Sequence, residues 1–348
     1  MTDQAPLVAL IFLCATGLAL ANGMSDMSGV IGSLCASRAL CAKRARLLAI
    51  FGITVGLWAG SDAVSRTLAV DLVRLEGWPS GAAVLIWLSA LAGCLTWVSL
   101  ARRWGIPTSS THALVGALSG ATLMGTGDWG RVNWGVQAFL VDHQLGGILK
   151  VFLALVVSPL LGSALGFMIF RLLARCLRQA TARINEALRR LEVAMVLLQS
   201  VSYGCNDAHT VLGVFAGVGI CLGPLQRTWL VNWPARMTVS LGLAAGVMLG
   251  STAIMRTMGR GLYLVRPAEA LAGQAAAALA VFGAAGLGAP VSSSQITSSA
   301  LIGAGGAWRP HHVRWRRVRD VLLTWVVTFP SAAVLGGLFE AILLTGVG

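Results

Sequence analysis

Long apolar stretches alternate with short polar ones along this chain, and the spacing predicts a membrane protein built of helices. A helix that crosses a bilayer needs roughly 20 mostly apolar residues. Stretches of that kind run near 6–35, 47–70, 82–101, 146–170, 193–223, 234–255, 268–288 and 321–345. Apolar pieces at 109–125 and 292–305 bring the total to about 10–12 membrane elements. Several are interrupted by Gly, Pro or clustered Ser and Thr. One polar stretch, 171–192, holds six arginines and two glutamates with apolar residues at near-helical spacing, and reads as a basic linker on the cytoplasmic side. It divides the chain into a first transmembrane repeat, 1–170, and a second, 193–348.

Composition agrees with the pattern. Of 348 residues 56% are hydrophobic and 11% charged, where a soluble chain carries about 25% charged residues; mean hydropathy is +0.78. The net charge of +13 would raise the question of nucleic acid in a soluble protein. Here the arginines gather in short segments between apolar runs, which is the positive-inside pattern of cytoplasmic loops, and aromatics are not interleaved with them as base stacking requires. Nucleic acid is therefore excluded as a partner, and the bilayer takes its place. The segment from Asp62 to Glu76, with three acids and two arginines, is placed outside. The start, Met1 to Pro6, lacks a basic leader segment, so a cleaved signal peptide is not expected. The setting is a multi-pass protein of the cell inner (plasma) membrane. Seven cysteines form no CxxC and no Cys/His cluster, so neither a disulfide framework nor a structural metal is read from them.

The two halves repeat each other. Gly23 to Gly32 lines up without gaps against Gly204 to Gly213, so that Asp26 and Asp207 coincide, 181 residues apart. Further on, Pro107-Thr-Ser109-Ser110-Thr111-His112 pairs with Pro290-Val-Ser292-Ser293-Ser294-Gln295 at an offset of 183. Each half carries an acid in an interrupted apolar segment and then a Pro-Ser-rich break. Repeated halves with interrupted segments in corresponding places point to a secondary transporter whose site lies at the repeat interface.

An ionised carboxylate in hydrocarbon costs roughly 2.5–3.5 kcal/mol on insertion scales, so the few acids in apolar runs invite a functional reading: Asp26, Asp207, Glu269 and Glu340. Asn22 and Ser25 precede Asp26, and Asn206 precedes Asp207. Carboxylate plus neutral oxygens is the mixture that hard cations prefer, and the nearby glycines would allow local unwinding that frees carbonyls. Na⁺ at Asp26 and Asp207, or a proton, is the expected coupling cation. Glu269 follows Pro267 and fits equally a helix first turn. At the two breaks Pro ends one helix and another is expected to begin at Ala113 or Ile296. Unpaired N–H groups and hydroxyls at such a start suit a tetrahedral oxyanion, which makes Ser109, Ser110, Thr111, Ser292, Ser293 and Ser294 candidate ligands, with His112 and Gln295 beside them. Cation co-transport has a reason: a divalent anion entering against 100 mV, negative inside, works against roughly 2 × 2.3 kcal/mol. A Ser/His catalytic pair at His112 lacks an acid partner nearby in sequence, no P-loop appears, and a channel remains the other transport reading. No enzyme activity and no resident cofactor are expected.

These residues resemble the inorganic phosphate transporter (PiT) family over nearly the whole length. Members carry an Asn-Asp broken helix near the start of each half, similar to Asn22–Asp26 and Asn206–Asp207, and a Pro-Val-Ser-Thr-Thr-His-like hairpin tip, similar to Pro107–His112 and Pro290–Gln295. Ser109–Gly120, Ser298–Gly305, and the stretches around Val313–Trp315 and Thr328–Pro330 look like the family too. The resemblance implies an all-α polytopic membrane protein with two inverted repeats, broken helices and re-entrant hairpins. It also implies a phosphate site made of the tips and broken helices, and coupling to Na⁺ or H⁺ by alternating access; sulfate is the substrate alternative, and a homodimer stays open. The chain departs from the family's pattern at Ser25 and Gly29, where Asn is usual, at Tyr203 and Gln295, where His is usual, at His209 for Gln and at Thr210 for Asn.

Overall fold

The computed structural model describes residues 5–223 and 232–347; Met1 to Gln4, part of the start judged above for a leader, and Gly348 lie outside the described residues. The first half holds α1 (Ala5–Ser37), α2 (Ala42–Ala59), α3 (Ala63–Val70), α4 (Ser80–Arg103), α5 (Ser110–Thr126), the short α6 (Val136–Asp142) and α7 (Gly147–Cys176). The second holds α8 (Ile184–Tyr203), α9 (His209–Leu222), α10 (Trp233–Leu249), α11 (Thr252–Arg256), α12 (Pro267–Gly286), α13 (Ser293–Trp308) and α14 (Trp315–Val347). Among the described residues the only β pairing is an isolated bridge between Val73 and Val132.

Six helices there are long and apolar enough to cross a membrane, or eight if each of two bent pairs is one span. With the shorter tip helices α5 and α13 this makes ten elements, the expected number. Apolar side chains on α7 and α14, such as Leu160 and Val326, stand exposed with no protein over them, as a lipid-facing surface does.

Contacts between the halves come in exchanged pairs. Helix α5 lies along α14 and α13 along α7, and α1 lies along α10 and α8 along α2; within the halves, α4 packs on α5 as α12 packs on α13. Such exchange is what inverted repeats produce. Without a hydrophobic force between helices in lipid, small residues bring backbones together. A Cβ on Gly116 of α5 would stand 2.5 Å from the Phe329 carbonyl oxygen of α14, and one on Gly162 of α7 would stand 2.6 Å from Ser299 Oγ of α13.

Two sequence expectations need correcting, and one, that several apolar segments are broken, is met in two bent pairs. The interruption expected at Asn22–Asp26 is absent: α1 runs unbroken through it. Its glycines serve close packing instead, since a Cβ on Gly32 would stand 2.6 Å from the Met255 carbonyl oxygen. The second half does break at the matching place, as the π-helical turn Gly204–Ala208, a local widening of the helix that recurs at functional sites. The stretches 47–70 and 234–255 are not straight spans. Ala42–Ala59 and Ala63–Val70 meet at 70°, and Trp233–Leu249 meets Thr252–Gly261 at 61°. Finally, α5 and α13 begin at Ser110 and Ser293 rather than at Ala113 and Ile296. Ser109 Oγ accepts from His112 N (3.1 Å) and Ser292 Oγ from Gln295 N (3.4 Å), so each serine caps its helix and the hydroxyl residues fall inside the first turn. Of the basic stretch 171–192, residues 171–176 extend α7 and 184–192 open α8, which leaves 177–183 as the connection.

Candidate functional site

The two Pro-Ser breaks meet each other. Thr111 Oγ1 donates to the Val291 carbonyl (3.4 Å) and Ser294 Oγ donates to the Thr108 carbonyl (2.8 Å). Thr111 corresponds to Ser294 and Thr108 to Val291 in the repeat alignment, so one contact is the two-fold image of the other. His112 Nδ1 and Gln295 Nε2, also a matched pair, lie 3.4 Å apart, which places the pseudo-axis between them. Ser109, Thr111, His112, Ser292, Ser293, Ser294 and Gln295 are all buried, and Ser110 lies at the edge of burial at 9%. The N-terminal ends of α5 and α13 thus converge, each with the positive end of its dipole toward the other tip.

Beside the tips lie the two acids. Asn22, Ser25 and Asp26 fall at i, i+3 and i+4 on one face of α1 and are buried. Asp26 is within electrostatic reach of Asp207 and of the Ser294 hydroxyl. On the other side, the π turn turns Asn206 and Asp207 inward together. Asn206 Nδ2 donates to Asp207 Oδ1 (2.8 Å), to the Val291 carbonyl (2.8 Å) and to Ser293 Oγ (3.2 Å), while its Oδ1 accepts from Val291 N (3.2 Å). Ser293 Oγ donates to Asp207 Oδ1 at 2.5 Å. The acid pair therefore sits directly against the second tip. Two carboxylates facing each other in a dry core repel strongly, and a cation between them offsets that repulsion. Several polar atoms here are buried without any partner: both side-chain atoms of Asn22, Ser25 Oγ and Asp207 Oδ2. Unsatisfied buried groups cost about 1–3 kcal/mol each, and a set of carboxylate, amide and hydroxyl oxygens is of the kind that suits a hard cation.

The structure thus brings together eleven of the residues singled out from the sequence with His112 and Gln295, and leaves two apart: Glu340, buried on α14 within reach of the Ser89 hydroxyl of α4, and Glu269. Glu269 is buried in the first turn of α12, among Arg266, Arg309 and Tyr263, where it serves the helix start. Arg102, just ahead of the first tip, directs Nη1 to the Met24 thioether (3.2 Å).

Other members of the site were not read from the sequence as contacts. Tyr203, noted only as a departure, donates its hydroxyl to the Ser293 carbonyl (2.9 Å) and also bonds Thr297, which receives Gln199 Nε2 (2.9 Å). Gln199, Tyr203 and Asn206 recur at i, i+4 and i+7, a polar face on an apolar helix that periodicity alone could have revealed. On the first tip, Thr108 Oγ1 bonds Thr328 Oγ1 (2.8 Å), Trp97 Nε1 donates to the same hydroxyl (3.1 Å), and Trp325 Nε1 donates to the Pro107 carbonyl (3.0 Å).

Comparison with known proteins settles the family. The sequence pattern of the "Phosphate transporter family" matches residues 22–336. The chain belongs to the phosphate transporter family. It is 28% identical over 340 residues to a protein of Bacillus subtilis named "probable low-affinity inorganic phosphate transporter", covering 97% of both chains. A protein of Rhizobium meliloti with the same name is 28% identical, with 96% of this chain and 95% of that one covered. Among solved structures, one titled "The sodium-dependent phosphate transporter" superposes with a TM-score of 0.84 at 21% identity, over 98% of this chain and 99% of that chain, and so shares its fold. Members of this family are transporters rather than enzymes, and this chain is a multi-pass membrane protein of that kind.

Proposed function

We propose that this phosphate transporter family member is a secondary active carrier. It takes up inorganic phosphate across the cell's inner membrane together with Na⁺ or H⁺, by alternating access between the repeats 1–170 and 193–348 joined by the cytoplasmic stretch 171–192. The observation that carries the reading is the cluster at the pseudo-axis: two facing acids ringed by unpartnered oxygen atoms, set directly against two converging helix starts.

In this reading the cations come first. Asn22, Ser25, Asp26, Asn206 and Asp207 hold them, and the carboxylate repulsion is exchanged for attraction. The sodium-dependent phosphate transporter of the same fold favours Na⁺, and the oxygen-only ligand set agrees. The oxyanion then enters between the N-terminal ends of α5 and α13, where N–H groups and helix dipoles favour negative charge. The hydroxyls of Thr111, Ser294 and Ser293 now donate to Val291, Thr108 and Asp207. Phosphate takes them over as donors, so binding releases the two bonds that tie tip to tip. That release gives the substrate a differential effect on the tip–tip contact, which is what a ligand needs in order to shift a conformational equilibrium.

Radiolabelled phosphate and sulfate uptake into proteoliposomes under imposed Na⁺ or pH gradients tests the reading. Accumulation of phosphate above equilibrium with one of the gradients is expected. Uptake that runs without any cation gradient at rates near aqueous diffusion would replace the carrier by a pore, and sulfate preferred over phosphate would replace the substrate.

A further inference from the structure

Each hairpin tip is covered by a short helix that follows a bend in the other half. Thr67 Oγ1 of α3 donates to the Gly288 carbonyl (2.8 Å), in the turn leading into the second tip. Thr257 Oγ1, in the π turn Thr257–Gly261 that continues α11, donates to the Gly105 carbonyl (2.9 Å) ahead of the first tip. Thr257 follows Thr67 by 190 residues and Gly288 follows Gly105 by 183, so the two bonds are repeat images. Gly105 and Gly288 take φ of 67° and 62°, and a Cβ on either would stand 3.2 Å from the lid, at Ala253 or Ala63. Helix α3 is thus a lid over tip two on the side read as outer, and α11 with its π turn is the matching lid over tip one on the cytoplasmic side.

The lids are tied to the tips alike, but their bends are held differently. At the outer bend, Arg236 of α10 places Nη2 2.6 Å from Asp62 Oδ1 and donates from Nη1 to the Leu57 carbonyl (2.7 Å), so it grips the chain on both sides of the bend. His209, at the start of α9, adds a third hold: its Nδ1 stands 3.2 Å from Ser65 Oγ and 3.4 Å from Asp62 Oδ1. The Ser65 hydroxyl donates to the His209 carbonyl (2.8 Å), which leaves its oxygen as an acceptor and puts the imidazole hydrogen on Nδ1. Leu57, Asp62 and Ser65 belong to the first repeat, and His209 and Arg236 to the second. At the inner bend Arg46 of α2 is the image of Arg236, again 190 residues away, and comes close as well: a Cβ on Gly250 would stand 3.3 Å from its Nη2. The image of Asp62, however, is Thr252, and the image of His209 is Ser28, which accepts from Ser251 N (2.7 Å). Among the described residues Arg46 forms no ion pair, and its Nε has no partner.

We propose that Asp62, Arg236 and His209 form a latch on the outer lid that the inner lid lacks, so that this chain rests closed to the outside and opens more readily to the cytoplasm. The Asp62 side chain is 57% exposed, and an ion pair with an exposed member contributes little to stability. That suits a contact which must break in every cycle. His209 lies two residues beyond Asp207, so the latch also reaches the π turn that carries this acid. The gating role rests on the alternating-access reading above; the latch itself does not.

The test reads Cys205, whose Sγ lies under the outer bend, 3.5 Å from the Gly56 carbonyl and 3.1 Å from a Cβ placed on Gly60. The full chain, with its other six cysteines replaced by alanine, is expressed in intact cells. A membrane-impermeant methanethiosulfonate is added outside, and the rate of Cys205 modification reports opening of the outer lid. Slow modification is expected with the latch intact. Asp62→Asn and Arg236→Gln should each raise the rate on the order of threefold or more, as suits a partly exposed pair, while Asp62→Glu keeps the charge and should stay within about twofold of the parent. Thr252→Asp sets an acid beside Arg46 and should also raise the rate, since latching the inner lid moves the population toward the outward-open state. Unchanged rates in both Asp62→Asn and Arg236→Gln overturn the inference. So does an equal rise with Asp62→Glu, which would make packing rather than charge the cause, and a Thr252→Asp rate no faster than the parent overturns the contrast between the lids. Phosphate uptake at pore-like rates without any cation gradient would instead overturn the carrier reading and leave the labelling rates, and the latch, standing.

Discussion

Around Asp207 almost every neighbour is tied, and around Asp26 almost none is. Asn206 alone makes three donations and one acceptance, and Ser293, Tyr203 and Thr297 close the network over the second tip. On α1 the matching residues, Asn22 and Ser25, end in atoms with no partner. The tips differ in the opposite sense. Tip one is fastened to the frame through Thr328, Trp97 and Trp325, whereas tip two is fastened to Asp207 and lies against Asp26 through Ser294. Similar sequence in the two halves has thus been put to different uses. In the reading proposed above, the Asp26 side has binding energy to gain from a cation. The Asp207 side has geometry to transmit, because whatever changes at its carboxylate changes the seat of Ser293. Cation occupancy is then felt by the second tip far more than by the first.

The largest effects should fall on the acids, and they should differ in kind. Asp207→Asn and Asp26→Asn are each expected to reduce cation-driven phosphate accumulation in proteoliposomes by more than a hundredfold. Only the first should also lower the unfolding temperature, since hydrogen bonds to a charged group contribute about 1.5–3 kcal/mol each and Asp207 receives two. Equal melting shifts in the two variants would erase the distinction between the halves.

Next in size is Asn206→Ser, which copies Ser25 into the second half. It removes the bonds to Asp207, Val291 and Ser293, at roughly 1 kcal/mol apiece, so a loss near 3 kcal/mol is expected in unfolding measurements together with weaker cation dependence. The reciprocal Ser25→Asn should leave stability within about 0.5 kcal/mol. If Asn206→Ser proves harmless, the network around Asp207 is not what seats the second tip.

Thr328→Val probes the frame of the first tip. It removes the bonds from Trp97 and to Thr108 and should cost about 1–3 kcal/mol in stability, with the Na⁺ or H⁺ dependence of uptake unchanged. A shift in apparent cation affinity would mean that the first tip senses the cations as well.

Much of this was legible in the chain itself. The paired acids and the paired Pro-Ser breaks stood in register, and a carboxylate costs enough in hydrocarbon that such a repeat demands a joint site; the structure does gather them. What misled was glycine. Gly23 and Gly32 around Asp26 let α1 approach α10 and α11, and Gly204 beside Asp207 lets its helix approach α2 just as closely, a Cβ there standing 2.2 Å from the Ile53 carbonyl oxygen, yet only Gly204 also opens a π turn. Which use wins is decided by neighbours far off in the chain, and those leave no local trace. Thr328 and Trp97 stayed hidden for the same reason: each matters through a partner more than two hundred residues away in the chain. For Glu269 the sequence offered two readings, and the structure places it in the first turn of α12, as one of them had it.

The smallest effects should come from what the halves still share. Ser109 and Ser292 cap α5 and α13 in the same way, each accepting from the residue three positions on. Replacing a capping serine by alanine costs about 1 kcal/mol, and by glycine only a few tenths. Ser109→Ala and Ser292→Ala are therefore each expected to lose about 1 kcal/mol in stability, with glycine at either position recovering most of it. Because the caps steady the first turns whose N–H groups face the oxyanion, the half-saturation concentration for phosphate should rise less than tenfold, by similar factors in the two variants. The apparent cation affinity should barely move, since neither hydroxyl touches an acid. A phosphate defect confined to one serine, and not rescued by glycine, would show that its hydroxyl binds the anion directly, and the asymmetry of the acids would then extend to the tips' own contacts with substrate.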